Sequence, residues 1–429
     1  MSASPTMLEF NGEKYSVNVS IFAPTRDTKF TDLAHENKET MIFENIDSIE
    51  IVHDIINPLL TGKIVYTDSE YVVMKKFQSL PYVYVHISFG KHNQKASDDI
   101  ITLERQFNHT FLVDNIQIVG QSGPNVTYQI DLISHHWWNF TKSLSYNTSG
   151  VEKSVTSILA DCFNSSDLTF NTNNWSTEAS RIFFSSANES LMSAYSYLMS
   201  KTYIPTDRIG GAFFTIYDHL NNVYNLWSLK NAEPKSYLTK DDFLDSIFIP
   251  IEKGVASELI QSKPPKVSMV NYQPRTQMIK SLFDYSSWSY DYTSNKFTPT
   301  VVETPSIIND LMEGWKDYTS RYYDFKATDS NAISSKIVST QFKHEESIWS
   351  NIIDQYKNLI GLMINNNVLV INSDGELRRK PGDAVKIEVD NSDQNSLQDL
   401  EGLWINLRTR HIITPSEYKT NMIVGRIHQ

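Results

Sequence analysis

Two stretches near the end of the chain, GLWINLRTRHII (residues 402–413) and EYKTNMIVGRI (residues 417–427), read as long β-strands joined across Thr414-Pro415-Ser416. In the second, Tyr418, Thr420, Met422, Val424 and Arg426 are alternate residues and so share one face of a strand. Upstream lies an apolar run, Leu362 to Ile371, broken by Asn365-Asn366-Asn367. The turn signals Asp374-Gly375 and Pro381-Gly382-Asp383 follow, then a short strand, Ala384 to Val389. Proline stands between these runs and not inside them, because it cannot donate to a strand ladder. Several short strands at this spacing predict a small barrel or sandwich.

Working outward, residues 8–138 also read almost wholly as strands. Tyr15, Val17, Val19 and Ile21 alternate with polar residues until Pro24, and a polar stretch, Arg26 to Thr40, follows. Asn45 to Asp54 and Leu59 to Ser69 form a strand pair in which Gly62 marks a bulge. Val83, Val85, Ile87 and Phe89 alternate with Tyr82, Tyr84, His86 and Ser88. Phe111 to Val119 and Val126 to Ser134 form a hairpin across residues 121–125. This predicts a second barrel, over residues 1–138.

Residues 139–262 change character. Ser149-Gly-Val-Glu152 has the form of a capping box, and Val151, Val155, Ile158, Leu159 and Cys162 follow at helical spacing. A second helix, from Asn188 onward, carries Leu191, Tyr195 and Leu198 on one face. Gly210-Gly211 opens a hairpin, Ala212 to Asp218 and Val223 to Leu229, turning at Leu220-Asn221-Asn222. Lys263-Pro264-Pro265 reads as a hinge into the last unit, residues 263–429. There strand material returns at Val267 to Val270 and Trp288 to Tyr292. Two amphipathic helices, Pro305 to Tyr323 and His344 to Ile360, form a predicted helical insertion over 301–360.

A chain of 429 residues exceeds one ordinary domain, and two or three are expected. A hydrophobic content of 40% with 21% charged residues belongs to a folded protein. Aromatic residues make up 12%, which suits β structure and large interfaces. The net charge of −12 argues against a general nucleic-acid-binding surface, which needs clustered Lys and Arg. The single cysteine, Cys162, excludes an intrachain disulfide and a Cys-based metal site, and its neighbours Ile158, Leu159 and Phe163 predict burial. No run has the length of a membrane span, and Met1 to Leu8 lacks the charged start and apolar core of a secretory signal. The Asn-x-Ser/Thr triplets at Asn125, Asn139, Asn147 and Asn188 read as ordinary exposed asparagines.

Little in the sequence carries chemistry, and no catalytic, cofactor-binding or metal site is predicted. His135-His136 with Asp131 is the nearest approach to a metal set, but adjacent strand residues point to opposite faces and cannot share an ion. His344-Glu345-Glu346 lacks a second histidine four residues on. There is no Gly-x-Ser-x-Gly, and Gly210-Gly211 opens a hairpin and not a helix, so no phosphate loop is formed. Asp241-Asp242 and Glu345-Glu346 read as solvated faces. Arg378-Arg379-Lys380 reads as a turn facing a neighbouring subunit or an acidic partner.

Three stretches, in order, carry a resemblance. Pro58, Leu59, Gly62, Ile64, Asp68 and Ser69 stand in a "Pro-Leu-x-x-Gly-x-Ile" strand ending in Asp-Ser. Two helices plus the Phe214 to Asp218 and Tyr224 to Leu229 hairpin form the second. The third runs from Arg378, Arg379 and Pro381-Gly382-Asp383 through Gly402-Leu403-Trp404 and Thr409-Arg410-His411-Ile412 to Tyr418-Lys419-Thr420 and Arg426. Together they resemble the baseplate (tail) hub proteins of contractile-tailed bacteriophages, which are related to the base of type VI secretion spikes. The resemblance implies a predominantly β, α+β fold with two tube-type β-barrels, 1–138 and 263–429, flanking a mixed α/β domain, 139–262. It implies a homotrimeric, pseudo-six-fold ring in the virion baseplate, made in the host cytoplasm. Such a ring connects the tail tube or tube initiator to the central spike, lets DNA pass, and neighbours baseplate wedge and tape-measure proteins. Neither sequence-specific nucleic-acid binding nor membrane insertion is expected. The readings from other classes are a tail-associated polysaccharide- or peptidoglycan-degrading enzyme and a receptor-binding trimer.

Overall fold

The structure is a computed structural model. It describes residues 6–10, 12–23, 39–41, 45–69, 75, 77, 80, 82–92, 103–147, 151–172, 180–181, 189–200, 213–228, 246–249, 266–271, 285–291, 296–302, 340–342, 368–389 and 402–425. The first strands are β1 (Thr6–Phe10), β2 (Glu13–Phe22), β3 (Glu39–Thr40), β4 (Ile46–Asp54), β5 (Thr61–Ser69), β6 (Tyr84–His92), β7 (Leu103–Ser122) and β8 (Asn125–Ser134). Next come helix α1 (Trp137–Thr141), β9 (Lys153–Ser154), α2 (Val155–Ser165), β10 (Phe170–Asn171), β11 (Ser180–Arg181) and α3 (Leu191–Ser200). The hairpin β12 (Phe213–Asp218) and β13 (Val223–Ser228) follows, then β14 (Ser246–Ile249), β15 (Lys266–Asn271), β16 (Tyr285–Asp291), β17 (Lys296–Val302) and β18 (Thr340–Phe342). The last four are β19 (Val368–Asp374), β20 (Ala384–Val389), β21 (Gly402–Ile413) and β22 (Tyr418–Gly425).

The fold is mainly β. One sheet of 14 strands takes in both ends of the chain, in the order β1-β2-β6-β7-β8-β5-β4-β21-β22-β19-β15, with β3 on β2, β20 on β21 and β14 on β20. Every pairing along this path is antiparallel. The sheet curls until distant strands meet face to face. Tyr418 of β22 lies 5.7 Å from the Tyr15 ring of β2 and 4.9 Å from the Phe89 ring of β6. Smaller sheets, β10-β13-β12, β9-β11 and β17-β16-β18, share no ladder with it among the described residues.

Burial follows the alternation in the sequence. Val17, Val19 and Ile21 of β2, Val85, Ile87 and Phe89 of β6, and Tyr418, Thr420, Met422 and Val424 of β22 are all buried. The largest core joins β2, β4 to β8, α1 to α3, and the β12–β13 hairpin, and reaches Leu377, Ile413 and Tyr418. A smaller core of Leu369, Ile371, Val385, Ile387, Trp404, Met422 and Val424 belongs to the C-terminal strands. On α2, Val155, Ile158, Leu159, Cys162 and Phe163 are fully buried, and burial pushes the Cys162 thiol up to about 12. On α3, Leu191 and Leu198 are fully buried, with Tyr195 close behind.

Several local expectations are corrected. The cap of α2 is Ser154, whose hydroxyl accepts from the Ser157 N–H at 3.2 Å, not the Ser149 box. Val151 precedes the helix, and at 60% exposure it is no part of the buried stripe. Gly62 makes no bulge, because it pairs in register with Ile51 and the irregularity of that ladder lies at Ile46/Ser48. It is glycine because a Cβ there would stand 2.8 Å from the Glu50 carbonyl oxygen. Asn139 is no free surface residue, since its amide donates to the Ser166 carbonyl at 2.7 Å. The helices placed at 305–323 and 344–360, the Gly210-Gly211 pair, the Lys263-Pro264-Pro265 hinge, Asp241-Asp242 and His344-Glu345-Glu346 lie outside the described residues.

Candidate functional site

The pairing of β4 with β21 is where the N-terminal strands join the C-terminal ones. Asp54 stands opposite Arg408, His53 opposite Thr409, and Ile51 opposite His411. The Ile55 N–H extends the ladder by donating to the Leu407 carbonyl at 2.9 Å. Side chains on a strand alternate, so the junction has two unlike faces. The outer one is charged. Arg410 grips the Glu50 carboxylate with two nitrogens, Lys63 approaches the same carboxylate at 3.7 Å, and Arg408 lies 3.5 Å from Asp54.

The inner face carries histidines. His53 and His411 are buried there, and His219, in the turn between β12 and β13, is buried against them. Ring centroids are 4.8 Å apart for His53 and His219, 6.3 Å for His53 and His411, and 6.2 Å for His219 and His411. His219 Nε2–H donates to the Leu377 carbonyl at 3.0 Å, and His411 Nδ1 shares a hydrogen bond with the Tyr418 hydroxyl at 3.0 Å. The opposite nitrogens, His219 Nδ1 and His411 Nε2, are buried without a hydrogen-bond partner, as is His53 Nε2. Burial holds all three rings below the ordinary imidazole value. His219 falls to about 4 and His411 to about 3, and His53 goes well down, helped by its two histidine neighbours.

A second trio continues the row. The Phe107 ring lies between them, 5.4 Å from His219 and 6.2 Å from His109. His109 lies 5.2 Å from His135 and 5.4 Å from His136. Here polar partners are plentiful. His109 bonds Ser134 at 2.8 Å, His135 Nδ1–H donates to the Thr110 carbonyl at 2.8 Å, and His136 meets the Tyr224 hydroxyl at 2.9 Å. Burial lowers His136 to about 3 and lowers His109 and His135 as well.

The loop after β19 ties the hairpin to this junction. Arg379 is 5% exposed and donates to the Ser373 hydroxyl and the Asp374 carbonyl, while Arg378 folds back on Glu376. Lys380 reaches Asp218 at the end of β12, 2.9 Å away. Burial alone would raise the Asp218 carboxyl, but Lys380 and Asn221 outweigh it and hold it below the ordinary value. The basic run does lie on a turn, and its side chains are engaged within the chain. Gly382, at φ +88°, seats this loop on the hairpin, where a Cβ would come within 2.5 Å of Ile216 Cδ1.

His135 and His136 lie in the turn after β8 and not within a strand, so the opposite-faces argument does not apply, and their rings are 4.3 Å apart. Asp131 accepts from Gln129 instead of joining them. Among the described residues no group of three His, Cys, Asp or Glu is arranged to hold a metal ion. No helix among them is long and apolar enough to cross a membrane. The trio of His53, His219 and His411 escaped the sequence reading, although a signal existed. His53 is in phase with Ile49 and Ile51, and His411 with Thr409 and Ile413, on faces that the alternation marks as buried.

No protein-family model matches the sequence, and no curated protein matches it. Solved structures do. The prophage MuSo2 43 kDa tail protein from Shewanella oneidensis superposes with a TM-score of 0.51 at 9% identity, over 96% of this chain and 98% of that one. The tail protein from Neisseria meningitidis MC58 gives a TM-score of 0.50 at 9% identity, over 96% of both chains. This chain has the phage tail-protein fold. In this chain the β4–β21 pair is the seam between the N-terminal and C-terminal strands, and the histidines line its inner side.

Proposed function

We propose that the chain is a structural baseplate hub of a contractile phage tail. The observation that carries this reading is the likeness to two tail proteins over 96% of the chain, together with the tail-hub resemblance of three separate sequence stretches. In this reading residues 1–138 and 263–429 are two tube-type units around the middle segment 139–262. Three chains close into a ring by heterologous contacts. Two units per chain then give the ring six tube-like positions for the tail tube and three equivalent ones for the spike. The chain does no chemistry of its own. The junction supports this role, since a sheet continuous through β4 and β21 makes both units one mechanical body.

Immunogold labelling of purified virions with an antibody to this chain tests the placement. Label at the distal end of the tail is expected. Label spread along the tail or confined to the head overturns it.

A further inference from the structure

We propose that His53, His219 and His411 form a proton-operated latch, which holds the N-terminal strands, the middle hairpin and the C-terminal strands together when neutral and releases them when protonated. The placement is what suggests it. His53 sits on β4, His411 on β21 and His219 on the β12–β13 turn, so the cluster touches the three parts of the chain at the ladder that, among the described residues, joins the N-terminal strands to the C-terminal ones. A structural histidine normally spends both ring nitrogens. Here each ring keeps one buried nitrogen without a partner. A neutral ring tolerates that at modest cost, whereas a protonated ring would bury an unpaired cationic N–H.

The surrounding groups relieve it only in part: Asp218 favours a charged His219, and Glu376 and the Arg379 backbone favour a charged His411, but burial outweighs them. From the loop after β19, Lys380 and buried Arg379 add positive charge, and the carboxylates of that region are engaged, Asp218 with Lys380 and Glu376 with Arg378. From β21 and β22, His411 meets the Tyr418 hydroxyl, a neutral partner. From β7 and the turn after β8 come Phe107 and the second trio, His109, His135 and His136, which would repel a charged His219 or His53. Glu50 and Asp54 lie on the other face of β4, paired with Arg410, Lys63 and Arg408. A proton entering the cluster therefore finds no free counter-charge among these groups.

The direction of the effect follows. An open, hydrated imidazole titrates near 6.5. The closed rings titrate far lower, at about 4 for His219 and about 3 for His411. The closed state binds fewer protons, so its stability is fully present above pH 6.5 and is lost as pH falls toward those values. Between pH 7 and pH 5 the ratio of open to closed junction rises roughly 25-fold for each histidine that opens.

Hydrogen–deuterium exchange on the full chain, corrected for intrinsic rates, reads this directly between pH 7 and pH 4.5. We expect protection to fall in residues 46–54, 213–228 and 402–413 while β6 to β8 remain protected, with a slope approaching three protons per opening. The double variant His53→Leu/His411→Phe should fold at pH 7 and lower that slope by about two. If it does not fold, proton uptake by the wild-type chain after a pH jump gives the same count. Unchanged protection at pH 4.5, simultaneous loss over all strands, or an unaltered slope in the double variant overturns the latch.

Discussion

At the scale of single residues, the structure explains why particular positions are fixed. Gly382 adopts φ +88° and carries no Cβ where Ile216 and the Trp227 indole press against it. Replacing it with alanine adds left-handed strain and a steric clash together. Gly382→Ala is expected to cost about 1–3 kcal/mol in chemical denaturation. A variant as stable as the parent would show that the loop after β19 does not seat on the hairpin as described. The histidines teach the complementary lesson. His135-His136 drew attention as a pair in sequence, yet the trio with unpartnered nitrogens is drawn from positions 53, 219 and 411. Spacing along the chain cannot reveal a cluster assembled by strand pairing, although alternation gave the buried faces of His53 and His411.

At the scale of elements, alternation was a sound guide to strands and a poor guide to their partners. The limits of β21 match the run 402–413, and β22 is the following run shortened to Tyr418–Gly425. Periodicity marked two β-rich stretches, and strand pairing adds that β4 and β21 join strands of both in one sheet. Partner choice depends on cross-strand pairs, which single-strand periodicity does not contain. On the outer face of the seam the pair that matters is Glu50 with Arg410, held by two hydrogen bonds and only partly exposed. A double-mutant cycle with Glu50→Gln and Arg410→Met should give a coupling of about 1 kcal/mol, above the level of most surface pairs. A coupling indistinguishable from zero would make this ion pair incidental to the junction. The helix signals show the same limit, because the cap of α2 is Ser154, at the end of the short strand β9.

At the scale of the whole molecule, an acidic, aromatic-rich chain folds around a curled sheet that takes in strands from both of its ends. In the proposed ring, DNA would pass through a lumen, and few free cations on its wall would let phosphate slide without being held. Screening limits any repulsion from the wall to ~8 Å at physiological salt. The cations at the seam fit this picture, since Lys63, Arg408 and Arg410 are each matched to a carboxylate of β4. All of this depends on three chains closing into a ring. Light scattering coupled to size exclusion, run on the chain alone and with its cognate spike, measures that directly. The account predicts a species of three chain masses in at least the spike-bound sample. A monomer in both samples would contradict it.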